Sequence, residues 1–219
     1  MSKIAALGLA AVAAATLATA ATASTTNYVV NGSFEDVEGA VQSRNNGSWG
    51  TFSSIPGWTD LGGTDFEIQT NPTLGSIDAQ DGFRYVELDA HGSGSNAQIG
   101  QMVTLGAGTY KLSFYYSPRV NVSPTTTNDI VYSVGTLLSG MITGAPNEDY
   151  LHGMWTEVTG LFTVETDGDY LLAFGGAGYE ETLGGFIDNV SISAVPLPAG
   201  GLLLLGGLGA LAFARRRKV

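Results

Sequence analysis

Cysteine is missing from the 219 residues, histidine occurs twice, and basic residues are scarce through the middle of the chain. Without cysteine there is no disulfide framework, no thiolate metal centre and no thiol nucleophile. The two histidines, His91 and His152, stand apart, and neither an H-E-x-x-H nor a G-x-S-x-G pattern occurs, which removes the common zinc-hydrolase and serine-hydrolase arrangements. Between residues 24 and 194 all 20 acids face only Arg44, Arg84, Lys111 and Arg119, a net charge of −16. Such a surface repels nucleic acid and anionic lipid and favours neutral or cationic partners. Phosphate-cradling and nucleic-acid motifs are absent as well.

The two ends differ from this middle. Lys3 precedes an apolar run from Ile4 to Leu17, and small residues follow at Ala18-Thr19-Ala20 and Ala21-Thr22-Ala23. That order predicts an export signal over residues 1–23, cleaved after Ala20 or Ala23. Near the other end, Val195-Pro196-Leu197-Pro198-Ala199 opens onto an uncharged stretch from Leu197 to Ala214, and the chain closes with Arg215-Arg216-Arg217-Lys218-Val219. Eighteen residues make a helix of about 27 Å, enough for a bilayer core, with the basic end expected on the cytoplasmic side. Residues 24–194 are then expected outside the membrane, at the cell envelope, the cell surface or in an extracellular matrix. Their length suits one domain with a core of its own.

Within that domain the apolar residues alternate. Tyr110, Leu112, Phe114 and Tyr116 share one face of an extended run, and Tyr170, Leu172 and Phe174 share one face of another. Further strands are expected at 65–69, 85–89, 98–105, 130–138, 155–164 and 186–193. Many short strands separated by Gly, Asn and Pro turns predict an all-β sandwich, because each sheet needs a second apolar face to cover its own. Segments 36–64, 71–81, 118–128 and 140–153 read as loops, where binding functions usually lie.

Two sets of residues carry possible chemistry. Glu35, in Asn31-Gly32-Ser33-Phe34-Glu35, follows the first short strand, and Asp188 stands in the last; side-by-side first and last strands would bring them together. Two carboxylates with backbone oxygens suit a hard cation such as Ca²⁺, and turn-capping through backbone N–H groups accounts for the same residues. The second set is aromatic. Trp49 and Trp58 lie in an amide-rich segment with Arg44, Asn45, Asn46 and Asp60, while Tyr85, Tyr115 and Arg119 are further candidates for packing against and hydrogen-bonding a sugar ring. Core packing competes for each aromatic, most strongly for Trp58 after Pro56-Gly57 and for Trp155 at the head of an alternating strand. Glu67, Glu87 and Asp89 offer paired carboxylates for glycoside hydrolysis, and a role as exposed sheet acids suits them equally well.

NYVVNGSFE at 27–35, IPGWT at 55–59, FEIQ at 66–69, YVELD at 85–89, AGTYKLSFYYSPR at 107–119 and GGFIDNVSIS at 184–193 resemble, in this order, bacterial members of the domain of unknown function 642 group. The resemblance covers nearly all of residues 24–194. It implies a galactose-binding-domain-like jelly roll related to carbohydrate-binding modules. It also implies a structural Ca²⁺ held by Glu35 and Asp188, with Asn31 and Ser33 supplying backbone oxygen. The tail from 195 to 219 resembles the VPLPA form of the PEP-CTERM sorting signal, which implies an exosortase-type membrane enzyme as partner and a destination at the surface or in exopolysaccharide. The function these readings lead to is a non-catalytic module that binds polysaccharide, with Trp49, Trp58, Asp60, Tyr115 and Arg119 as its contacts. A structural matrix protein without a discrete sugar site is the alternative, and a glycoside-acting enzyme stands behind both.

Overall fold

The computed structural model describes residues 26–40, 42–45, 47–62, 64–71, 73–75, 77–91, 96–119, 128–144, 153–180 and 182–196. The expected export signal, the hydrophobic tail and its basic end lie outside these residues, as do Asn46 and His152. No helix among the described residues is long and apolar enough to cross a membrane.

The described residues form strands and turns, with no helix among them. The strands are β1 (Gln42–Asn45), β2 (Trp49–Phe52), β3 (Ser54–Ile55), β4 (Trp58–Asp60), β5 (Phe66–Thr70), β6 (Arg84–Glu87) and β7 (Gln98–Leu105). They continue with β8 (Gly108–Ser117), β9 (Ile130–Val134), β10 (Leu138–Ile142), β11 (Thr156–Val164), β12 (Gly168–Gly176) and β13 (Phe186–Ala194). One sheet has seven strands in the order β1-β2-β5-β6-β13-β8-β11, and the other has six in the order β10-β9-β12-β7-β4-β3. Every pairing is antiparallel. The result is the expected two-sheet sandwich.

Alternation builds the core as predicted. Leu112, Phe114 and Tyr116 of β8, with Ile187, Val190 and Ile192 of β13, meet Leu172 and Phe174 of β12 and Ile99, Val103 and Leu105 of β7, all buried. The first described residues lie along the last strand: Asn27 bridges Ser193, and the Tyr28 N–H donates to the Ile192 carbonyl at 2.9 Å. Gly32 continues this pairing, its carbonyl accepting from the Val190 N–H at 2.9 Å. A β-carbon at Gly32 would stand 2.0 Å from the Val190 carbonyl oxygen, so only glycine allows the approach.

Two expectations need correcting. Residues 36–64 are not one loop, since β1 to β4 lie within them. These strands have two to four residues each and lack the repeated alternation that marks longer ones. The strand expected over 130–138 is a hairpin: β9 ends at Val134, Gly135 turns the chain with φ 49°, and β10 returns from Leu138, taking residues 140–142 from a segment expected to be loop.

Candidate functional site

The face of the seven-stranded sheet that points away from the core is polar where β2, β5 and β6 meet. Phe66, Ile68, Val86 and Leu88 point inward, so alternation sends Glu67, Gln69, Tyr85 and Glu87 outward. Register places Glu67 directly opposite Glu87, Gln69 opposite Tyr85, and Trp49 opposite Gln69. These outward acids are not exposed, contrary to expectation. Glu67 is 4% and Glu87 0% exposed, because Arg119 and residues 182–184 lie over this face instead of solvent.

Burial is matched by donors. Gln69 Nε2 donates to Glu67 Oε1 at 2.9 Å and also to Glu87 Oε2, while the Tyr85 hydroxyl donates to Gln69 Oε1 at 3.0 Å. Arg119 Nη1 pairs with Glu87 Oε1, which also accepts the Gly184 N–H at 2.8 Å. Glu67 Oε2 accepts a long bond, 3.3 Å, from the His91 backbone N–H. Burial pushes the carboxyl of Glu67 above the usual range against the hydrogen bond from Gln69, and pushes that of Glu87 well above it against the charge of Arg119. Burial, with the charge of Glu87, likewise raises the Tyr85 phenol.

Above this floor is a depression of about 270 Å³ lined by Ser48, Trp49, Glu67, Gln69, Thr73, Leu74, His91, Arg119, Thr182 and Leu183. Trp49 is half-buried, and its ring centroid lies 5.4 Å from that of His91. Thr182 holds φ 75° on the rim, a conformation rare for a β-branched residue and concentrated at functional sites. Beside the depression, a small apolar cluster of Ile77, Tyr85 and Phe186 is covered by Trp155, whose Nε1 donates to the Asp78 carbonyl at 2.7 Å.

Of the five residues expected to touch a ligand, the structure brings Trp49 and Arg119 together. Trp58 is a correction: 1% exposed, it packs in the core against Phe34 and Phe174 with centroids at 5.2 and 6.1 Å, and its Nε1 donates to the Asn31 carbonyl at 2.9 Å. Asp60 stands on β4 in the other sheet, where its carboxylate accepts the Gly62 N–H at 2.9 Å. Tyr115 lies further along the seven-stranded sheet, in a separate depression of about 350 Å³ with Lys111, Ser113, Glu157 and Ser191. Tyr85 belongs to the buried floor. Sequence reasoning passed over Gln69, His91 and Thr182. FEIQ and YVELD, read as facing strands, would have found Gln69, because glutamine stands two residues from Glu67 on the same face.

The four expected metal-site residues have other partners. Glu35 Oε1 accepts the Phe83 and Arg84 N–H groups at 2.7 and 2.6 Å, and Oε2 lies 3.4 Å from Arg84 Nη1. Asp188 Oδ2 accepts the Gln80 and Asp81 N–H groups at 2.7 and 3.0 Å, and burial pushes this carboxyl up to about 7. The two acids therefore converge on residues 80–84, the approach anticipated from the first and last strands. Ser33 Oγ donates to Asp81 at 2.6 Å, and the Asn31 carbonyl already accepts from both Trp58 and the Phe34 N–H. N–H groups and a guanidinium directed at these oxygens do not fit a cation. Among the described residues no group of three or more His, Asp or Glu could hold a metal ion.

No family model and no curated protein matches the chain. Among solved structures it is similar to a family 61 carbohydrate-binding module in complex with β-1,4-galactotriose, at 17% identity and TM-score 0.47, covering 78% of this chain and 99% of that one. A second carbohydrate-binding module, of family 16, matches at 18% identity and TM-score 0.47, covering 76% and 99%. The CBM22-1 xylan-binding domain of Paenibacillus barcinonensis Xyn10C matches at 15% identity and TM-score 0.38, covering 64% and 87%.

Proposed function

We propose that this chain is a non-catalytic saccharide-binding module of jelly-roll type, and that the depression beside Trp49 is where it holds a sugar. The arrangement of that depression carries the reading. A half-exposed indole stands over a floor of carboxyl, amide and guanidinium groups already fixed by one another. A pyranose needs this combination, an apolar surface for its C–H face and oriented donors and acceptors for its hydroxyls. A floor held in place before binding loses little entropy when the ligand arrives.

Catalysis fits the same residues poorly. Glycoside hydrolysis needs two carboxyl groups about 5–9.5 Å apart on either side of the bond to be cleaved. Here one amide nitrogen, Gln69 Nε2, bridges Glu67 and Glu87, so no glycosidic oxygen can lie between them.

The ends of the chain supply the rest of the proposal. Residues 1–23 direct export, and the tail from 195 to 219 directs processing by an exosortase-type membrane enzyme and retention at the cell surface or in exopolysaccharide. Fractionation of cells carrying the full chain and one lacking residues 195–219 tests this destination. Release of the shortened chain to the medium is expected.

Binding is tested by titrating the domain with neutral β-1,4-linked hexasaccharides. Saturable binding is expected, weakened about tenfold or more in Trp49→Ala, since loss of one stacked ring amounts to roughly 1.4 kcal/mol. Asp60→Ala and Tyr115→Ala, outside the depression, should bind as the unaltered protein does. Binding that is indifferent to Trp49 and lost in Tyr115→Ala would move the site to the second depression.

A further inference from the structure

Resting on the reading that the Trp49 depression holds a sugar, we propose that its preferred ligand is a cationic amino sugar, a non-acetylated hexosamine unit of a polysaccharide whose ammonium group lies against Glu67. The acids and bases at this place do not balance. Among the described residues Arg119 is the single guanidinium lining the depression, and two carboxyl groups face it. Arg44 enters the same sheet on β1, two strands beyond Glu67 in the strand order.

Arg119 makes its contact with Glu87, the deeper of the two acids. Glu67 is hydrogen-bonded by the neutral Gln69 amide at 2.9 Å and the His91 N–H at 3.3 Å, and Arg119 reaches it through its charge alone. The second bond is long, which leaves Oε2 weakly held by the His91 N–H in a carboxyl whose residue lines the depression with Trp49. An ammonium is the donor that completes it, because charge-assisted hydrogen bonds are shorter and about twice as strong as neutral ones.

The neighbouring indole adds to the selectivity, since a cation over an aromatic face is favoured where water is scarce. Long-range charge acts in the same direction: the −16 of residues 24–194 concentrates a polycation near the domain and repels a polyuronate. An N-acetyl group replaces the ammonium with a neutral amide and forfeits both effects. A uronate would bring a third carboxylate to a place with one guanidinium.

Calorimetric titrations with β-1,4-linked glucosamine hexamer, its N-acetylated counterpart, the glucose hexamer and an oligogalacturonate test this, with the amines protonated and at low and moderate salt. The glucosamine hexamer is expected to bind about tenfold more tightly than the acetylated one, and the oligogalacturonate least. That ratio should persist at moderate salt, because a pair inside the depression is screened less than charges on the open surface. It should approach one in Glu67→Gln and stay unchanged in Glu165→Gln, an exposed acid on the turn after β11. Equal affinity for the charged and acetylated hexamers overturns the inference. So does a preference in the unaltered protein that salt abolishes, which assigns it to diffuse surface charge and requires no variant. Failure of all four ligands to bind overturns the saccharide reading itself, a result distinct from binding without charge selection.

Discussion

Removing the Arg119 guanidinium would leave Glu87, now fully buried, with its carboxyl opposite that of Glu67 and no cation paired to it. Arg119→Ala is therefore expected to destabilise the fold by about 3–5 kcal/mol, as removal of one partner of a buried ion pair does. Adding Glu87→Gln should restore most of that loss, and denaturant unfolding of the two single variants and the double one measures the coupling. The same pair sets the response to pH. A carboxyl whose pKa is raised on folding binds its proton more tightly in the folded state, so the folded chain holds more protons between the ordinary and the raised value. The contribution of Glu67 and Glu87 is complete below 4.5, their ordinary value, and is lost as pH rises through the raised ones. Melting temperature should fall over that window, and Glu87→Gln should flatten the fall; a rising profile in the unaltered protein would count against it. At this scale the sequence was partly legible. Alternation placed Glu67 and Glu87 on the face away from the core, but it carries no information on what covers that face. Trp58 was recognisable as core from the Pro56-Gly57 turn before it, whereas Gln69 and His91 required knowledge of which strands and loops meet.

Among the elements, residues 80–84 depend on side chains far away in sequence. Glu35 holds two of their N–H groups and Asp188 two more. Glu35→Ala and Asp188→Ala should each destabilise by about 1–3 kcal/mol, the cost of leaving such donors without partners. Because N–H groups occupy these oxygens, adding calcium to the chelated domain is expected to leave its melting temperature unchanged. A rise that disappears in either variant would show that a cation displaces those donors and would restore the calcium expectation. The NGSFE and FIDN stretches thus pointed to a real junction, whose two carboxylates accept backbone N–H groups from residues 80–84. Long strands were legible because apolar alternation sustained over eight to ten residues, as in β7, β8 and β11, matches the two-residue period of a strand and no helical period. The two- to four-residue strands β1 to β4 were not, because their pairing comes from neighbours already in the sheet and leaves no period in the sequence.

For the whole molecule, the sandwich followed from the distribution of apolar residues, while strand order did not, since alternation fixes a face and never a partner. Residues 24–196 alone contain every described strand and should unfold in one cooperative transition, which calorimetry can check by comparing calorimetric and van't Hoff enthalpies. The positions of the two ends bear on use. Asn27 bridges Ser193 and the Val195 N–H donates to the Thr109 carbonyl, so the first and last described residues lie together beside the Gly106-Ala107 turn. Gly184 and Arg119 mark the opposite end of β13 and β8, and nine residues of strand separate the two poles by roughly 30 Å. A tether joined at residue 26 or at residue 196 would therefore hold the domain by its foot and leave the Trp49 hollow at the far pole.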